Sequence, residues 1–211
     1  MKKEYTAESI IRNSRFIDIW EPESEEFKSW TLSRVQELID ENPDYCTKVT
    51  FLHMRNLFTA IAIHEWDLAH GMTAEESIAR LGLAMEVFMA PSKKKFRLLG
   101  KKAIFKTVGP LIPKLMTSGN GKGFQSVPVK VKGGFGFDTV ECCFNTLMAK
   151  YGHLDLGKRF CAIDEYMYGD IPNVRFERTG TCCRGCGKCD FRFYWDEGIN
   201  LPSFPDFRRL Q

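Results

Sequence analysis

Cys142 stands a few residues after Asp138 and Thr139, either of which can cap a helix running to about Tyr151. A thiol in the first turn of a helix faces free backbone N–H groups and the positive end of the helix dipole. Both favour the thiolate, which makes Cys142 a candidate nucleophile. The competing role is a buried structural thiol, the commoner fate of a cysteine that forms no disulfide. Cys143 points about 100° away on the same helix. Asp164 follows Cys161 by three residues, so both can face one direction. A carboxylate at the edge of an apolar stripe can act as a general base with a raised pKa, or pair with Arg178 or Arg192.

The turn Cys182-Cys183-Arg184-Gly185-Cys186-Gly187-Lys188-Cys189 carries four thiols. Cys183, Cys186 and Cys189 have the CxxCxxC spacing of zinc or iron–sulfur ligation. A fourth ligand would have to come from Cys142, Cys143 or Cys161; otherwise the turn holds free thiols. His64 and Glu65 begin an HExxH-like sequence, but position 68 is Leu68, so metal binding is less favoured there than a solvated helix end.

These residues need elements to hold them. Val174 to Thr181 and Cys189 to Trp195 alternate in character around the cysteine turn, the pattern of a β-hairpin. Val127, Val129 and Val131 alternate with polar residues as a strand, and Phe135 and Phe137 resume one after Gly133-Gly134. Leu156, Phe160, Ile163 and Met167 fall on one face of a helix from Asp155 to about Tyr168. Upstream, residues 1–117 read as helical. One helix ends at Asn42-Pro43, and another runs from about Lys48 to His70 with Gly71 closing it. Thr73 to Glu76 form a capping box before a stripe of Ile78, Leu81, Met85, Phe88 and Met89. Residues 118–126 form a flexible connection, and 127–211 an α+β region whose tail from Gly198 is irregular. The fold class is α+β: a helical N-terminal half, then a small antiparallel sheet with two helices and a C-terminal β-hairpin.

The chain has 211 residues, 44% of them hydrophobic and 27% charged, with a net charge of +3. That balance is globular, and the charge alone does not call for nucleic acid. No apolar run reaches the roughly 20 residues of a membrane span. The charged N-terminus does not read as a secretory signal. A cytoplasmic location is therefore expected, and the 8 cysteines are read as thiols, ligands or catalytic groups. Residues 93–114 carry eight basic residues and no acid among Phe96, Leu99, Ile104, Phe105 and Leu111. Such a segment can touch an anionic membrane surface, although a solvated helix face is the more ordinary outcome.

Residues of about Phe137 to Phe193 resemble the L-2-amino-thiazoline-4-carboxylic acid hydrolase family. The resemblance rests on Cys142 ten residues before Gly152, a Phe160-Cys161 and Asp164 helix, a strand with Arg175-Phe176, Arg178-Thr179 and Thr181, and the closing Cys189 to Phe193. The joint match covers about a quarter of the chain well. The resemblance implies hydrolysis of a small cyclic amidine: water adds at the ring carbon between N and S, and the ring opens to a carbamoyl-cysteine. On that reading Cys142 is the nucleophile, Asp164 or Asp190 the acid or base, and Arg178 or Arg192 the carboxylate clamp, with Thr179 and Thr181 beside the substrate. The thiols Cys182, Cys183 and Cys186 depart from the family pattern and keep open a non-catalytic ligand sensor or a metal or redox protein.

Overall fold

The computed structural model describes residues 5–199. Seven helices come first: α1 (Ala7–Arg12), α2 (Ile17–Trp20), α3 (Glu25–Glu41), α4 (Phe51–Ala69), α5 (Ala74–Phe96), α6 (Lys102–Val108) and α7 (Ile112–Ser118). Strands β1 (Phe124–Val129) and β2 (Gly134–Cys142) follow, then α8 (Cys143–Lys150), α9 (Leu154–Tyr168), β3 (Val174–Glu177) and β4 (Cys189–Trp195). The strands form one antiparallel sheet in the order β1-β2-β4-β3. The fold is α+β, as the sequence pattern predicts.

Local signals set most helix ends. Thr73 Oγ1 accepts from the Glu76 N–H while the Glu76 carboxylate accepts from the Thr73 N–H, so the capping box forms as expected. Gly71, at φ 88°, turns the chain out of α4 where a side chain would be strained. α9 buries Leu156, Phe160, Ile163 and Met167. On the sheet, Phe135 stacks on Phe193 at 4.8 Å and Phe137 on Phe191 at 4.6 Å. Each pair sits directly opposite across β2 and β4 and adds roughly 0.5–1.5 kcal/mol beyond its burial.

One apolar core joins α1, α3, α4 and α5 to α8 and α9 through residues such as Phe16, Phe58, Met85, Leu147 and Phe160. A second lies under one face of the sheet, where Leu99, Phe105 and Ile171 meet Phe135, Phe191 and Phe193. The expected flexible connection contains an ordered turn, closed by reciprocal backbone hydrogen bonds between Gly121 and Phe124 at 2.9 and 3.0 Å. Most of the tail expected to be irregular from Gly198 lies outside the described residues.

Several local expectations are corrected. The helix expected to begin at Asp138 or Thr139 begins at Cys143, because β2 continues to Cys142 and pairs with β4 as far as Thr139 opposite Cys189. Pairing on both edges outweighs the helix-start residues. β3 stops at Glu177, where Arg178 leaves the ladder for α9. His64 and Asp67 are buried rather than solvated. His64 Nδ1 bonds Ser77 Oγ at 2.8 Å, and Ser77 donates to Asp67 at 2.7 Å, so the network holds α4 to α5. Phe88, expected in the core stripe, is 43% exposed, because the buried line of α5 runs through Leu81 and Met85.

In the basic segment, Phe105 is buried while Leu98, Val108 and Leu111 are exposed beside the lysines. Among the described residues no helix is long and apolar enough to cross a membrane.

Candidate active site

A cavity of about 330 Å³ opens between the start of α4, the helices α8 and α9, and the sheet. That is the size range of small-molecule sites. Phe124, Phe137, Phe144, Phe160 and Phe191 supply aromatic walls, with Leu52, Met116 and Ile163. Six polar groups face the same space: Cys142, Cys161, Asp164, His53, Arg15 and Arg55. Tyr168 and Cys189 also line it.

Cys142 is the last residue of β2 and the N-cap of α8, with extended backbone at φ −136°, ψ 108°. The strand brings the sulfur to the cavity, where it stands at the start of the following helix. Thiol hydrogen bonds from Cys182 and Cys183 hold its pKa well below the usual thiol range, and the Asn145 N–H adds to them against the cost of burial. Cys161 is lowered likewise by Cys183 and Cys189, with Thr181 and the Arg178 charge contributing. Beside these two lowered thiols, Cys182, Cys183 and Cys189 are pushed up and keep their protons. Cys182 Sγ lies 3.7 Å from the Thr139 carbonyl, and Cys189 Sγ accepts from the Cys182 N–H at 3.3 Å. All are free thiols. Cys143, on the other side of the backbone, is raised by burial in the helical core.

Asp164 projects from α9. Protein surrounds it, yet 30% of its side chain is accessible through the cavity. Burial raises its pKa to about 7, against the downward pull of Arg178. It is therefore present in both protonation states near neutral pH and can give or take a proton there. Tyr168, packed against it, is raised by burial and stays neutral. His53 stacks on Phe124 at 4.1 Å. Burial lowers its pKa to about 4, so at neutral pH it is an uncharged imidazole.

The other residues singled out in sequence take structural places. Arg178, only 2% exposed, donates to Asp164 at 2.7 Å, Glu165 at 2.8 Å and the Cys161 carbonyl at 2.8 Å. It positions Asp164, and its remaining Nε, though without a partner, is enclosed by protein and out of reach of a substrate carboxylate. Arg192 donates to Asp138 at 2.6 Å and to the Phe137 carbonyl, on the sheet face turned from the cavity. Asp190 accepts from the Thr179 and Gly180 N–H groups and the Thr179 hydroxyl, closing the turn after β3. Neither Thr179 nor Thr181 lines the cavity.

The CxxCxxC set does not assemble. Cys183 and Cys189 are buried, whereas Cys186 is exposed near the Arg184 carbonyl. The αL glycines Gly185 and Gly187 turn the chain on either side of Cys186. Among the described residues no group of three or more His, Cys, Asp or Glu is placed to hold a metal ion. The arrangement thus does not fit zinc or an iron–sulfur cluster at Cys183, Cys186 and Cys189.

Sequence reasoning missed Arg15, His53 and Arg55. A signal was present: His53, Arg55 and Asn56 cluster in the first turns of α4, ahead of the run from Leu57 to Ile63 that is apolar except for Thr59.

The fold and cavity together define an α+β protein with an internal, aromatic-walled chamber in which thiols and a carboxylate face one space. Residues 54–193 match the L-2-amino-thiazoline-4-carboxylic acid hydrolase family, and the chain belongs to that family. No curated protein and no solved structure matches it.

Proposed function

We propose that the protein hydrolyses a small cyclic amidine of the 2-amino-thiazoline-4-carboxylate type, with Cys142 as nucleophile and Asp164 as acid and base. The observation that carries this reading is that a thiol held below its usual pKa and a carboxylate titrating near 7 open into one cavity. The family's name supports the substrate class.

The Cys142 thiolate adds to the amidine carbon, forming a C–S bond. The ring bond to that carbon breaks, and the departing ring atom takes the proton of Asp164. The Asp164 carboxylate then removes a proton from water as the oxygen attacks the enzyme-bound carbon. Collapse expels the Cys142 thiolate and releases a carbamoyl-cysteine. One water is consumed, and both enzyme groups return to their starting states. The aromatic walls fit a flat ring and limit the entry of bulk water.

The test is incubation of the protein with 2-amino-thiazoline-4-carboxylate, followed by mass spectrometry for the ring-opened product. Product should gain the mass of one water, and Cys142→Ala should abolish it. Full activity in Cys142→Ala would remove the thiol from the mechanism.

A further inference from the structure

We infer that Arg15 and Arg55 form the site that binds the carboxylate of the substrate, so that the turn between α1 and α2 sets substrate specificity. This deepens the hydrolase reading and rests on it for the identity of the ring.

Both guanidinium groups line the cavity, and among the described residues neither makes a hydrogen bond or an ion pair. The Nε atoms of both are enclosed and without partners. Each lies close enough to the other for their charges to repel, and Asp164 is the carboxylate whose field reaches Arg15. Two partly buried cations that oppose each other and bond no counter-ion are costly to enclose, and the Asp164 charge offsets this only at Arg15. An anion between them would offset that cost, and a planar carboxylate matches the fork of donors on a guanidinium.

Their placement is prepared. The Arg15 backbone N–H donates to Asn56 Oδ1 at 2.9 Å, and Asn56 in turn donates to the Leu52 carbonyl at 2.8 Å. Asn56 is the residue after Arg55, so one side chain fixes the backbone of Arg15 beside Arg55. The backbone that carries Arg15 is therefore fixed before a ligand arrives, which lowers the cost of ordering the site. Arg178 and Arg192, the other arginines considered for this role, are already bound to carboxylates. Arg15 lies outside the 54–193 region that defines the family. The carboxylate site thus joins a residue of that region to one that precedes it.

The experiment measures binding by calorimetry in a Cys142→Ala background, where turnover does not interfere. The probes are 2-amino-thiazoline-4-carboxylate and 2-amino-2-thiazoline, which lacks the carboxylate. With both arginines present the carboxylate compound should bind more tightly. Arg15→Met and Arg55→Met should each weaken it by about 10- to 100-fold while leaving the other compound nearly unchanged. Arg15→Lys should recover part of the loss. The ligand-free thermal midpoints of the Met variants should equal or exceed that of the parent, because an uncompensated charge has been removed.

An unchanged preference for the carboxylate, or no preference in the parent, would overturn the proposal. So would a large drop in thermal midpoint, which would make the arginines structural. Arginine-dependent binding without turnover by the wild type would retain the clamp and sink the hydrolase reading. Turnover insensitive to both arginines would do the reverse.

Discussion

Arg178 holds Asp164 at 2.7 Å from the end of β3, and the same guanidinium reaches Glu165 and the Cys161 carbonyl. One buried cation therefore joins the sheet to the helix that carries the candidate acid–base residue. It opposes the upward shift that burial imposes on Asp164.

Arg178→Met should raise the pKa of Asp164 above 7 by about a unit or more, because the opposing charge is lost. The limb of the pH–rate profile that belongs to Asp164 would move to higher pH. Removing one partner of a buried pair should also cost about 3–5 kcal/mol in denaturant unfolding. Arg178→Lys keeps the charge but not the three-point contact, and should fall between. An unmoved pH limb would show that Arg178 does not act through Asp164.

Asp164→Asn removes the proton carrier and should lower kcat by about 10²- to 10⁴-fold. Its effect on stability has a definite sign. In the folded protein Asp164 titrates near 7, and in the unfolded chain near 4. Between those values the folded state holds a proton that the unfolded state has released, so stability falls as pH rises from about 4 to about 7. Melting curves across that window should show this component in the wild type and lose it in Asp164→Asn. An equal slope in both proteins would place the titration elsewhere.

Thiol reactivity should separate three cysteines. Cys142 should react with a small alkylating agent near pH 6, where an ordinary thiol is slow. Exposed Cys186 should react faster as pH rises towards 8–9, and buried Cys143 should resist until unfolding. Peptide mass mapping after timed alkylation reads all three. Cys142→Ala should remove the low-pH label on that peptide while leaving any on Cys161, and lower turnover by about three orders of magnitude or more.

The capping box offers a stability test remote from the cavity. Thr73→Ala removes the acceptor for the Glu76 N–H and the partner of its carboxylate. It should cost about 1 kcal/mol, or about 2–4 °C in Tm for a chain of this size, with turnover unchanged. Loss of turnover would mean that α5 transmits strain to the cavity.

Secondary structure was readable where a local pattern and the tertiary fold agreed. The Thr73–Glu76 cap, the Gly71 turn, the α9 stripe and the alternation around the cysteine turn each depend on neighbours within about four residues, and each appears. Cys142 and Asp164 could be singled out in sequence as candidates from a helix start and an apolar-stripe edge, which are local features, although the helix begins one residue after Cys142. The β2–α8 boundary was misread for a physical reason. Asp138 and Thr139 are good helix caps in isolation, but their backbone groups are taken by β4, which lies about 50 residues later in the chain.

By itself the sequence determined the α+β class and most element types, and it offered Cys142 and Asp164 as candidates for the proposed chemistry. Only the tertiary structure decided which charges are spent and which are free. Arg178 and Arg192 looked available in sequence, yet folding places carboxylates against both. Arg15 and Arg55 carried no motif, yet packing α4 and the α1–α2 turn over the sheet brings both to the wall of the cavity. Likewise Cys186 shares the spacing of Cys183 and Cys189 but not their direction, because two αL glycines turn it to solvent. Spacing along a chain sets periodicity within one element; counter-ions and cavity walls come from residues distant in sequence, whose encounter depends on the packing of the whole core.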